Sequence, residues 1–329
     1  MRGSIAPVVL TLVSVALILV NAAPLAAGEP MLLVVDRDLD GVHFVDPKSY
    51  EIVGLVRTGE GPQEIALSPD GKMAYVSNFG DYRSTISVVN IARMEKVRDI
   101  SAESNYRPHG LAVTKNGRKL YATCEASRSV AEFELPTGKL LRSFFTNEKV
   151  THMLALSPDE KTVWTANGAT GNVTYIDLIE GRRKGAIMSG SGCESVSVLP
   201  NGKEVWVVNR RVGTILVINA TTRRPVDTLE CRGYPMRIRF TPDGKRALVS
   251  CAELNRVDIF DTATRKIAGR IETDRVPVGI DVTPDGKRAF VACNGQASVT
   301  ILDLVKLEPA DSFAVGKYPF SLAYVRQTP

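Results

Sequence analysis

One short turn constrains this chain more than anything else in it, because it recurs. It stands at Asp70-Gly71, Asn116-Gly117, Asp159-Glu160, Asn201-Gly202, Asp243-Gly244 and Asp285-Gly286, at intervals of 46, 43, 42, 42 and 42 residues. Each copy separates two alternating apolar runs, the pattern of a β-hairpin closed by a tight turn. In the last copy Ile280 to Thr283 leads into Pro284-Asp285-Gly286 and Ala289 to Cys293 leads out of it. Ser298 to Leu304 and Pro309 to Val315 then add two further alternating runs. Four short antiparallel strands within about forty residues make one blade of a propeller.

Six such units fill residues 61–318. The tail, Pro319 to Val325, reads as a first strand, and Met31 to Arg57 reads as strands two to four. Joined, they complete a seventh blade, and pairing the two chain ends in one sheet removes edges that would otherwise invite aggregation. The expected fold is therefore all-β: a seven-bladed propeller with four antiparallel strands per blade, occupying residues 29–329 as one domain.

Residues 1–28 are of another kind. Arg2 is their only charge, Ile5 to Val20 is nearly all apolar, and Ala22, Ala23, Ala26, Ala27 and Gly28 follow. This is the pattern of a signal peptide, with cleavage expected near Gly28 and an exported product, periplasmic or secreted. An uncleaved membrane anchor is the alternative, opposed by Asn21 and Pro24 at the end of the apolar run. The formal net charge of +5 is spread along the chain, with no basic stripe for nucleic acid and no polybasic membrane segment. The expected partner is a small molecule or another periplasmic or surface protein, and the expected state is a monomer. Asn172-Val-Thr and Asn219-Ala-Thr match the glycosylation sequon, which matters only in a eukaryotic secretory route.

The five cysteines are an odd number for an exported chain. Cys124, Cys251 and Cys293 occupy the position where other blades carry Asn78, Asn167 and Asn209, a buried place for a small side chain at the end of strand two. Cys193 and Cys231 lie in successive connections between blades and form the one pair considered for a disulfide. No two cysteines have the short spacing of a zinc site.

Ser68-Pro-Asp-Gly-Lys-Met-Ala-Tyr-Val-Ser-Asn78, Pro242-Asp-Gly-Lys-Arg-Ala-Leu-Val-Ser-Cys251 and Gly213-Thr-Ile-Leu-Val-Ile-Asn219 resemble the YVTN repeats of YncE-type seven-bladed propellers. The resemblance covers about residues 31–325. It implies the fold and says little of function, since the repeat is a packing signature. The Trp-Asp dipeptide of WD40 blades is missing.

In a propeller the first strand of each blade is innermost. Ile65, Leu111, Leu154, Val196, Ile238 and Ile280 share one parity and are expected to pack between blades. The other parity, Glu64, Gly110, Met153, Ser195, Arg237 and Gly279, is expected to line a wet channel. One residue earlier, at the strand entry, stand Gln63, His109, His152, Glu194, Met236, Val278 and Phe320. Neighbouring blades place equivalent positions side by side, so His109, His152 and Glu194 should form an arc with Gln63 at its end. Glu125, after the second strand of His109's blade, belongs to the same face. The lengthened connections fall on that face too, where Asp81, Tyr82, Arg83, Tyr106 and Arg107 should overhang the arc.

Two histidines beside carboxylates suit a divalent-metal site or general acid and base chemistry. Metal-dependent propeller lyases of the virginiamycin-inactivating type are loosely similar in arrangement. The plain alternative is that each histidine only hydrogen-bonds loop backbone. Arg237 lacks an acidic neighbour at its own position and is a candidate for holding a carboxylate or phosphate at the channel mouth. Arg239 and Asp281 suggest an interblade salt bridge, Arg210 and Arg211 a solvated loop, and His43 a structural role. Phosphate-loop, nucleophile-elbow, zincin and covalent-haem motifs do not occur. A haem of the kind held by the nitrite-reductase propeller needs no such motif, so His109 or His152 as an axial ligand stays open.

Two functions follow. The first is a noncatalytic binding propeller, with Gln63, Glu64, His109, His152, Glu194 and Arg237 as ligand-binding candidates. The second is a metal-dependent lyase or hydrolase, with His109, His152 and Glu194 as metal ligands and Glu125 as a further catalytic candidate.

Overall fold

The structure, a computed structural model, describes residues 29–80 and 84–325. The expected signal peptide, and Asp81, Tyr82 and Arg83 of the first long connection, lie outside the described residues. Seven four-stranded antiparallel sheets follow one another around a ring. Blade 1 is β4 to β7 (Pro62–Leu67, Met73–Asn78, Thr85–Asn90, Glu95–Ser101). Blades 2 to 6 repeat it from β8 (Pro108–Val113), β12 (Thr151–Leu156), β16 (Cys193–Val198), β20 (Pro235–Phe240) and β24 (Pro277–Val282).

Blade 7 joins the two chain ends. Its strand order is β28 (Pro319–Val325), β1 (Met31–Asp36), β2 (Gly41–Val45) and β3 (Ile52–Arg57), with Met31 opposite Val325. Asp36 fastens this closure: one carboxylate oxygen accepts the Lys317 N–H at 2.8 Å and the other the Tyr318 N–H at 3.1 Å. His43 on β2 approaches the same carboxylate at 3.2 Å, which is the structural role expected of it.

The recurring turn has the same geometry in the six blades that carry it. In blade 1 the Gly71 N–H bonds the Ser68 carbonyl and the Ser68 N–H bonds the Met73 carbonyl, with Gly71 at φ +67°. Glycine is favoured there because a side chain strains the left-handed conformation. Glu160 nevertheless adopts φ +57° in blade 3.

The core lies between blades. Ile238, Ile280 and Val196 are buried there, as their parity requires. At the inner wall a Cβ on Gly279 would come within 2.4 Å of the Phe320 carbonyl oxygen, so only glycine lets the neighbouring first strand approach so closely. Asn78, Asn167 and Asn209 bind strand three through Thr85, Thr174 and Thr214. The cysteines at that position, Cys124, Cys251 and Cys293, are buried thiols.

The cysteine pairing differs from the expectation. Cys193 is buried in the core between blades 3 and 4, whereas Cys231 faces Cys251 with sulfurs 3.8 Å apart in the next core. The connection before β20 turns Cys231 inward onto Cys251, a strand-two cysteine.

Candidate functional site at the channel mouth

Every first strand departs from regular pairing where it enters the blade. The ladder passes from Pro108 to Leu111 in blade 2, from Thr151 to Met153 in blade 3 and from Cys193 to Ser195 in blade 4. A bulge frees a side chain from the alternation and re-aims it. His109, His152 and Glu194 sit in these irregular steps and turn toward the ring axis.

The strand-entry residues Gln63, His109, His152, Glu194, Met236, Val278 and Phe320 all line one cavity of about 720 Å³ at the mouth of the channel. A second ring lines it as well: Arg37, Phe79, Glu125, Gly168, Arg210, Ala252 and Asn294, each the residue that follows the second strand of its blade. Strand one and strand two are paired neighbours, so the start of one and the end of the other open on the same mouth.

The polar side chains converge on His152. Its Nδ1 meets Glu125 Oε1 and its Nε2 lies 3.1 Å from Glu194 Oε1. Arg210 holds the other Glu194 oxygen at 3.0 Å and lies over the Tyr234 ring at 5.5 Å. The His109 ring packs on the His152 ring with centroids 4.0 Å apart, and Phe79 meets His109 edge-on at 5.6 Å. Arg107 covers Phe79 at 5.0 Å. From the same blade, Thr123 Oγ1 donates to the His152 carbonyl at 2.5 Å and fixes the step between the two histidines.

Position gives the two imidazoles opposite characters. Burial lowers the His109 pKa well below the ordinary value, and the positive charges of His152, Arg237 and Arg37 push the same way. Burial opposes the charged form of His152 as well, but Glu194 and Glu125 outweigh it and raise that pKa to about 9. Glu194 shows the counterpart: burial raises its pKa, but His152, Arg210 and Arg237 bring it below the ordinary carboxylate value. At neutral pH the cluster is thus a neutral His109 against an imidazolium His152 held between two carboxylates. A base and an acid side by side are a fitting pair for proton transfer.

One ligand atom each from His109, Glu125 and His152 lie within 4.8 Å of one another, a set able to close on a cation. His109 Nδ1 is buried and has no hydrogen-bond partner among the described residues.

Beneath the mouth the channel is shut. Arg237, from blade 5, crosses the axis to Glu64 of blade 1, and its Nη1 lies 3.3 Å from Met153 Sδ. The space under the histidines, lined by Met153 and Arg237 among others, shrinks to about 10 Å³. This corrects two expectations: the Arg237–Glu64 pair blocks the channel at that level, and Arg237 is engaged, because its carboxylate comes from across the ring. Glu64 is engaged in the same pair. Arg239 and Asp281 form no contact salt bridge; Arg239 Nε donates to the Ile280 carbonyl at 3.3 Å, and Asp281 accepts the Tyr324 N–H at 2.8 Å. Arg210, read as part of a solvated loop, is instead the partner of Glu194.

Arg37, Phe79, Arg210 and Tyr234 were missed as lining residues. The signal was present for the first three. They share the register of Glu125, each following the second strand of its blade.

The first part of the chain matches the family model described as lactonase, seven-bladed β-propeller, over residues 34–151, less than half of the sequence. No curated protein matches the chain. Among solved structures, hydrazine synthase of Kuenenia stuttgartiensis superposes with a TM-score of 0.74 at 21% identity, covering 85% of this chain and 97% of that one. A functionally unknown protein from Desulfotomaculum acetoxidans gives 0.76 at 12% identity, covering 91% and 99%. The dihydro-heme d1 dehydrogenase NirN gives 0.66 at 15% identity, covering 89% and 74%. At such identities the likeness is one of fold.

Proposed function

We propose that this chain is a binding propeller that takes a small polar ligand into the channel mouth. The observation that carries this reading is the mouth itself: a cavity of about 720 Å³ to which all seven blades contribute equivalent residues, Arg37, Glu125, His152, Glu194 and Arg210 among them. A rigid ring with variable residues at equivalent positions suits recognition, and the plugged channel makes the cavity a recess with a floor. The YncE-type repeat resemblance and the expected export fit the same reading. A thermal-melt screen of small organic acids, amino acids and polyols tests it. At least one class should raise the Tm saturably in the wild type, with that rise lost in Glu194→Gln. No saturable response to any class overturns the reading.

A second reading, a metal-dependent lyase or hydrolase, is favoured by the His109, Glu125 and His152 cluster and by the orphaned His109 nitrogen. The competing effects can be weighed. Freeing His152 of its extra proton at pH 7 costs about 3 kcal/mol when its pKa is about 9. A structural zinc site supplies roughly 10 kcal/mol or more, so the proton weakens metal binding without forbidding it. Calorimetric titration with zinc, manganese, magnesium and nickel decides the point. Binding at micromolar affinity or better, weakened at least about tenfold by His109→Ala, supports this reading; binding of none of the four ends it.

A further inference from the structure

We propose that the ligand of the mouth carries a carboxylate and that Arg37 is the residue that receives it. The proposal rests on the reading of the mouth as a binding site and adds the chemical class of what binds there.

Arg37 follows β1 in the closing blade and lines the cavity. Its backbone N–H donates to the Tyr318 carbonyl at 3.1 Å, so its Cα is tied to the seam of the ring. The guanidinium lies 4.9 Å from the Phe320 ring centroid and 5.4 Å from that of Tyr318. With the Gln63 amide turned so that its oxygen faces Arg37, that oxygen accepts from Nε at 3.2 Å and from one terminal nitrogen at 3.1 Å. Two rings and an amide fix the orientation of the head group, and none of them neutralises it.

Three other cations at the mouth and beneath it have carboxylate partners. Arg210 has Glu194, Arg237 has Glu64, and His152 has both Glu125 and Glu194. Among the described residues, no carboxylate forms an ion pair with Arg37. An arginine held in place by aromatic faces, with charge and donors left over and a cavity in front of it, is a preformed fork for a carboxylate.

Blade 7, which carries Arg37, lies across the ring from blades 3 and 4, which carry His152 and Glu194. The two ends of the mouth therefore ask for different groups. Negative charge is welcome at Arg37, whereas Glu125 and Glu194 already surround His152 and favour a hydroxyl or amino group there. A small hydroxy or amino carboxylate satisfies both ends at once.

Sodium acetate is the probe, since it tests the Arg37 end alone. The Arg37 Nε–H resonance is followed by nitrogen-15 NMR during titration, with sodium chloride at matched ionic strength as control. The expected result is a saturable shift of that resonance with acetate and none with chloride, and the acetate affinity, read in the variants from backbone amide shifts at the mouth, should weaken at least about tenfold in Arg37→Gln and less in Arg37→Lys, which keeps the charge and loses the fork. An Arg37 resonance that responds no more to acetate than to chloride overturns the assignment. If Arg37→Gln fails to fold, the wild-type titration decides alone. Should a neutral compound perturb His152 while acetate leaves Arg37 silent, the mouth remains a binding site and the carboxylate proposal falls.

Discussion

Arg237 reaches across the propeller axis to Glu64, a residue of the opposite wall 173 positions earlier in the chain. Both are buried, so removing one partner leaves an uncompensated charge in the protein interior. Arg237→Ala should destabilise by about 3–5 kcal/mol. The double variant Glu64→Gln with Arg237→Met should recover much of that loss, because an apolar replacement of the whole pair is often close to neutral. Denaturant unfolding of the three variants checks this. A single variant as stable as the wild type would show that the bridge contributes little.

The seam of the ring makes a second prediction. Burial raises the Asp36 pKa, but hydrogen bonds from His43 and from the amides of Lys317, Tyr318 and Asp38 prevail and lower it to about 2. A depressed carboxylate stabilises the fold above its unfolded pKa, and the contribution disappears as pH falls through the folded value. Asp36→Asn should therefore lose about 2 kcal/mol at neutral pH, and the difference from the wild type should vanish toward pH 2. Deleting residues 319–329 removes β28 altogether and should unfold the ring or drive it to associate through its open edge. A truncated monomer with an unchanged melt contradicts the closure.

His152 carries the third. Its pKa, raised to about 9, gives stability that is fully present below the ordinary histidine value and is lost as pH rises through 9. Proton NMR of the imidazole should show one titration near 9, and Glu194→Gln should move it toward the ordinary value. A His152 that titrates normally in the wild type would dissolve the charge arrangement at the mouth.

The cysteines supply the fourth. Oxidation by glutathione disulfide takes two protons and two electrons from a thiol pair, and the pair within reach is Cys231 and Cys251, sulfurs 3.8 Å apart. Both are buried, and the shared hydrogen bond together with burial pushes the Cys231 pKa up, so the reaction should be slow. Peptide mapping should find that one link and leave three free thiols out of five. A link that includes Cys193 contradicts it.

The turn spacing made the fold legible. Turns at intervals of 42 to 46 residues and complementary chain ends are enough to place β28 beside β1, and the strand-entry register brought His109, His152 and Glu194 to one mouth. What spacing does not carry is contact across the ring. The Arg237–Glu64 pair joins blades that are not neighbours, so comparing adjacent repeats cannot find it. Arg37 was within reach of the sequence: once the two chain ends are joined in one blade, it follows a second strand in the register of Glu125. Cys231 escaped because a connection, unlike a strand, has no alternation to say which way a side chain turns.

The most direct test of the mouth as a binding site is a crystal structure of the protein soaked with the compound that raises the Tm most in the melt screen. The account predicts density for that compound in the cavity between Arg37 and the His152–Glu194 cluster, above the Arg237–Glu64 bridge. Density elsewhere, such as the recess beside Val212 and Arg232, with only solvent at the mouth, would contradict it.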